Sequence, residues 1–189
     1  MHREEIRFVA DIIAHPLSTT VNRYQRLNLS RRRGNAIRQH MVTAGITESV
    51  TIPTRSGQVV LYQLTEAGRA LCDEQGIDPG PRPRAGLEHT YWVDRTRDDF
   101  ERKGYTVRSE HVIRGNGAID LLAERPGQRV AVEIETGKSD IQPNLKKIQA
   151  AGFDRIVLVA TSPSAITACQ AAMAQTKILA ELLTWLDIS

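Results

Sequence analysis

Three carboxylates, Asp120, Glu133 and Glu135, sit on two short apolar runs, Ala-Ile-Asp-Leu-Leu-Ala at 118–123 and Val-Ala-Val-Glu-Ile-Glu at 130–135. Side chains on a strand alternate between its faces, so Glu133 and Glu135 share one face while Val130, Val132 and Ile134 line the other. Like charges gathered on one patch repel and hold protons more tightly, whereas a hard divalent cation turns the same oxygens into a favourable site. The simplest occupant is Mg²⁺ or Mn²⁺.

Turns and neighbouring elements must bring these groups together. Gly115-Asn116-Gly117 reads as a turn into the Asp120 run, and Arg125-Pro126-Gly127-Gln128 as a tight turn between the two runs, which predicts an antiparallel hairpin. Ahead of it, residues 87–103 space Leu87, Tyr91, Trp92 and Phe100 as a helix does, and residues 105–113 read as a strand. Beyond it come a helix over 140–151, the wholly apolar strand 155–160 (RIVLVA) and a helix over 163–176. The order is α-β-β-β-α-β-α. The closing stretch KILAELLTWLDIS fits a helix or an edge strand equally well. The aromatic rings of Trp92 and Trp185 read as core or interface residues.

Asp in one strand, then Glu-x-Glu-Thr-Gly-Lys-Ser in the next, a helix, and GFDRIVLVAT together resemble the PD-(D/E)XK nuclease superfamily over roughly residues 86–180. That superfamily includes many restriction enzymes and the archaeal Holliday junction resolvases. The resemblance implies a restriction-endonuclease-like mixed sheet flanked by helices and Mg²⁺-dependent hydrolysis of DNA phosphodiester bonds. It assigns Asp120, Glu133 and the Ile134 carbonyl as metal ligands, and Glu88 as the helical carboxylate that completes the site in resolvase-like members. The chain departs from the pattern at Glu135, which stands where the family has lysine. Lysine there activates water and offsets charge on the phosphate. Glu135 as base or second-metal ligand, Lys138, Lys146 or Lys147 are the available replacements. Thr136-Gly137 would let Lys138 turn back into the site, which favours Lys138. His89 and His111 are the nearest histidines, and each reads more simply as a surface or packing residue than as a base.

Upstream, residues 4–14 carry Ile6, Val9, Ile12 and Ile13 at helical spacing, ending before His15-Pro16. Ser18 or Thr19 caps a second helix to about residue 27, and Ser30 caps a third reaching Gly45. The alternating runs SVTIP and QVVLYQL around Thr54-Arg55-Ser56-Gly57 predict a hairpin, followed by the helix TEAGRALCDEQ. Residues 1–76 thus resemble a winged helix-turn-helix. The resemblance places Arg31, Arg32, Arg33, Asn35 and Arg38 of the third helix on DNA, with Arg55 at the wing tip. Residues 77–86, IDPGPRPRAG, read as a linker to a second domain over 87–189.

The balance of 25 basic against 22 acidic residues, net +3, permits a polyanionic partner. All five lysines fall at or after Lys103, so arginine alone makes the first eighty residues basic. Cys72 and Cys169 have neither CxxC nor neighbouring His spacing, which argues against a zinc site or a disulfide framework. No run approaches the ~18 apolar residues that span a bilayer. The expectation is a cytoplasmic α+β protein that partners DNA and no membrane. A winged helix before such a domain is similar to Mrr-type restriction enzymes, and similar modules occur beside HerA-type ATPases. A homodimer, each copy cutting one strand, is what the resemblance implies. The alternative is a DNA-binding regulator or ATPase-partner module with an inactive nuclease fold.

Overall fold

The computed structural model describes residues 1–82, 85–113 and 117–188. The fold is mixed α+β, as expected, and divides into two compact units, Met1–Ile52 with Gln58–Leu87, and Pro53–Gly57 with Glu88–Ser189. Residues 77–82 therefore do not form a free linker. Ile77 packs on the first unit's core, Arg69 donates to the Gly80 carbonyl, and Arg82 pairs with Glu66. Composition shows a break in periodicity there, but not the arginines that tie the segment down.

The first unit runs α1 (Arg3–Ala14), α2 (Thr20–Arg26), α3 (Arg31–Thr43), β1 (Thr47–Thr54), β2 (Gly57–Leu64) and α4 (Glu66–Glu74). Thr19 and Ser30 cap α2 and α3, their hydroxyls accepting the N–H groups of Asn22 and Arg33 at 3.3 Å each. Phe8, Val9 and Ile12 of α1 meet Tyr24, Ile37, Met41, Tyr62 and Cys72 in one apolar core. Beside it Asp11, nearly buried, holds both Arg23 and Arg26.

The second unit continues with α5 (Leu87–Arg102), β3 (Thr106–Ile113), β4 (Gly117–Arg125), β5 (Gln128–Glu135), α6 (Ile141–Ala150), β6 (Arg155–Ala160), α7 (Pro163–Thr176) and β7 (Glu181–Thr184). One sheet in the order β3-β4-β5-β6-β7 joins an antiparallel meander to a parallel half. The closing stretch, open between helix and strand from its sequence, supplies the parallel edge strand β7. Residues Gly115 and Asn116 of the turn expected before β4 lie outside the described residues.

Parallel strands reached through helical crossovers are covered on both faces, which is why Ile156 to Ala160, after Arg155, are uniformly apolar. On one face Leu122, Ala131, Leu158 and Ala160 pack against Leu145 and Ile148 of α6 and Cys169 and Ala172 of α7. The opposite parity, Val130, Val132, Val157 and Val159, is fully buried too, while α5 presents its own buried stripe of Tyr91, Trp92, Thr96 and Phe100.

Candidate active site

The β4–β5 ladder pairs Arg125 with Gln128 and continues as far as Leu121 with Val132. Beyond that point β4 keeps its pairing with β3, through His111 with Ile119, and β5 keeps its pairing with β6, through Glu135 with Ala160. The two strands therefore part, and a fork opens whose backbone groups must find other partners. The Asp120 carboxylate accepts the Ile134 N–H at 2.8 Å. Lys147, from α6, donates its ammonium to the Ala118 carbonyl at 2.6 Å.

Glu133 projects into the same fork, 5% exposed, with its Oε1 3.7 Å from Lys147 Nζ. That oxygen has no hydrogen-bond partner, and its carboxyl is hydrogen-bonded to Asp120. Burial first, then the charge of Asp120, pushes the Glu133 carboxyl up to about 9. Burial would raise Asp120 as well. Hydrogen bonds from the His89 ring and the Ile134 N–H overcome that and hold Asp120 below its ordinary value. His89 Nε2 lies 3.1 Å from Asp120 Oδ2, and this hydrogen bond raises the imidazole's affinity for its proton against the opposing effect of burial. Since Asp120 is the ionised partner, Nε2 carries the hydrogen.

Glu135 is 1% exposed and lies one step further along β5. Burial raises its carboxyl, and the Ser139 hydroxyl, donating to Oε2 at 2.8 Å, opposes the rise. Gly137, at φ +79°, makes the turn expected after the strand. That turn carries Lys138 to Glu88, 3.5 Å away, with its side chain 78% exposed. Lys147, only 18% exposed, is the lysine beside Glu133, rather than Lys138, which the turn at Thr136-Gly137 favours from sequence. Lys146 is exposed on the same helix. Glu88, in the first turn of α5, also accepts from the Thr161 hydroxyl at 3.1 Å.

Asp120, Glu133, Glu135, Glu88 and Lys138 thus fall at one end of the sheet, with Lys147, one of the replacements the sequence offers, and His89, read there more simply as a surface or packing residue; Ser139 and Thr161 are added by the structure. One signal for Lys147 was present in the sequence, its place at the border of the buried stripe Ile141, Leu145 and Ile148. His89 and Thr161 gave none beyond adjacency to Glu88 and to the end of RIVLVA.

Hard carboxylate oxygens are the donor set for Mg²⁺, and the buried Glu133 Oε1 without a partner is the atom a cation would satisfy. Among the described residues no three His, Cys, Asp or Glu side chains form a ready-made cage. Mg²⁺ does not require one, since it keeps several waters and binds through one or two carboxylates plus substrate phosphate.

Arg31 and Arg32 of the first unit stand exposed at the start of α3, and Arg55 is exposed in the turn between β1 and β2. Arg33 turns instead to Glu4 on α1. Asn35 accepts from the Tyr24 hydroxyl at 3.1 Å and Arg38 donates to the Tyr62 hydroxyl at 3.2 Å, so both are half-buried against the unit's own tyrosines.

Comparison with protein-family models, curated proteins and solved structures gives no match. Among the described residues no helix is long and apolar enough to cross a membrane.

Proposed function

We propose that this chain is a metal-dependent DNA endonuclease that hydrolyses phosphodiester bonds and is brought to DNA by its winged-helix unit. The observation that carries the reading is the fork. Asp120 and Glu133 converge there, one buried Glu133 oxygen lacks a partner, and a largely buried lysine stands 3.7 Å from it. Asp120, Glu133 and the Ile134 carbonyl are the groups to hold Mg²⁺ or Mn²⁺, with Glu88 as the further carboxylate. When bound, the ion supplies Lewis acidity and makes a water acidic enough to attack near neutral pH.

The chain's own residues do the rest. His89 donates to Asp120 and keeps that carboxylate ionised and oriented. Lys147 takes the part of the missing strand lysine, its ammonium fixed by the Ala118 carbonyl where it can offset charge developing on a phosphate. Glu135 contributes no positive charge, and Ser139 occupies one of its oxygens. At the start of α3, Arg31 and Arg32 present guanidinium forks to DNA.

The test is nicking of supercoiled DNA in Mg²⁺, Mn²⁺ or EDTA. The parent should nick with either metal and not in EDTA. Asp120→Asn, Glu133→Gln and Lys147→Ala should each lose on the order of 10²-fold in turnover, and Lys138→Ala much less. A parent that nicks no substrate, or carboxylate variants that cut as well as the parent, defeats the reading. Retained DNA binding would then favour a DNA-binding regulator or ATPase-partner module with an inactive nuclease fold. Glu135 in place of lysine is the observation behind that second reading.

A further inference from the structure

Strand β7 closes the sheet on its parallel side, and among the described residues no strand lies along its outer edge. Trp185, just past the strand, donates its N–H to the Ala160 carbonyl at 3.1 Å. Backbone groups alternate in direction along a strand, so Leu183 also turns its N–H and carbonyl to β6, while Leu182 and Thr184 turn theirs outward. Thr184 is already closed off. Its N–H donates to Asp187 Oδ2 at 2.8 Å, and its carbonyl accepts the Asp187 N–H at 2.9 Å. Among the described residues no hydrogen bond takes up the outward pair of Leu182. The antiparallel register that uses both of its groups on a second copy sets Leu182 opposite Leu182, about a two-fold axis.

That register follows from backbone groups alone, yet it also matches the side chains. Leu179, 94% exposed, precedes Leu182 by three residues, while Trp185 and the 51% exposed Leu186 follow it by three and four. Across the axis, Leu179 of one copy therefore meets the Trp185–Leu186 corner of the other. Lys177 and Asp187, both exposed, lie five residues to either side of Leu182, so opposite charges meet as well. Single exposed leucines are ordinary on protein surfaces. Leucines that face each other in a register fixed by other atoms, beside a lysine facing an aspartate, have the self-complementarity of an isologous interface.

We propose that the β7 edge is a homodimer interface, through which the five-stranded sheets of two copies join across a two-fold axis. Strands β5, β6 and β7 run parallel, so the joined sheet carries its two forks at opposite ends. Under the nuclease reading, the two copies then act on separate stretches of DNA rather than on the two strands of one site. The pairing itself does not depend on that reading.

The experiment is sedimentation equilibrium of the full chain without DNA, from micromolar to near-millimolar concentration. The parent should dimerise. Leu179→Lys and Leu186→Glu should each weaken self-association by at least about tenfold, because the axis repeats the apolar contact that each removes. Mixed together, the two variants should recover most of the parent's affinity, since the new lysine then faces the new glutamate while the second contact keeps both leucines. Both positions are exposed, so far-UV circular dichroism should match the parent. A parent that stays monomeric throughout overturns the inference, as do single variants that dimerise like the parent or a mixture that stays monomeric. A parent that dimerises in this way but nicks no DNA defeats the nuclease reading alone.

Discussion

The Glu133 carboxyl is 5% exposed, has one oxygen without a hydrogen-bond partner, and is pushed up to about 9 from an ordinary 4.5. In the folded chain it keeps a proton that the unfolded chain loses near 4.5, so stability without metal falls as pH rises between those two values. His89 acts in the same direction. Its proton affinity is raised, so its contribution is complete below the ordinary 6.5 and disappears as pH climbs through the folded value. Asp120, held low, contributes above its ordinary 3.8 and is lost only in acid, below this window. Glutamine mimics the protonated carboxyl and can still donate to Asp120. Glu133→Gln should therefore raise the metal-free melting temperature by several degrees at pH 8, and change it little at pH 5, while removing cleavage. Parallel melting curves for parent and variant across that range would refute the buried-charge account. Asp120 and Glu133 were legible from sequence because charges stood out in apolar strands one tight turn apart. Lys147 stood among three candidate lysines and His89 read as a surface or packing residue, while Thr161 gave no signal, because the approach of each is set by packing of the whole sheet.

At the scale of elements, periodicity located β6 and α7 to the residue and cap chemistry placed Ser30 before α3, with Ser18 or Thr19 before α2, since these depend on local chemistry. What it missed was tertiary. The Pro-rich segment docks through Arg69 and Arg82, and β7, four residues long, is too short for a period to show. The turn from wing to α4 depends on one close approach of the same kind. Thr65 caps α4, accepting the Gly68 N–H at 2.9 Å, and its own N–H donates to the Ile46 carbonyl at 3.1 Å. This draws Gly68 so close that a Cβ there would lie 1.9 Å from the Ile46 carbonyl oxygen, a backbone atom that cannot swing aside. Gly68→Ala, which improves helix propensity, should nonetheless destabilise the first unit by about 1–3 kcal/mol. Urea unfolding followed by far-UV circular dichroism measures it, and an unchanged or raised midpoint would mean that α4 moves away from Ile46 at no cost. Trp92 and Trp185 both lie in the second unit, so their fluorescence reports that unit separately.

Across the whole molecule, two compact units divide the work that the proposal requires, and substitutions should separate recognition from chemistry. Arg31 and Arg32 open α3 exposed, where a helix N-terminus already favours phosphate, whereas Arg33 is drawn to Glu4. Three consecutive arginines are indistinguishable in the sequence, and only the packing of α1 beside α3 tells them apart. Arg31→Ala and Arg32→Ala should weaken duplex binding on any sequence. Each should also reduce the slope of log affinity against log salt by roughly 0.9 for every phosphate contact removed. Arg33→Ala should change both much less, because it frees Glu4 rather than a phosphate. Asp120→Asn should bind with the parent's affinity and salt slope while failing to cut, since the carboxylate lies in the other unit. Fluorescence anisotropy of a labelled duplex at several salt concentrations gives all four slopes. Equal losses for Arg33 and its two neighbours would show that the whole arginine run faces DNA and that the Glu4 pair opens on binding. Loss of affinity in Asp120→Asn would mean that the fork itself holds the duplex, so that recognition and chemistry share one surface.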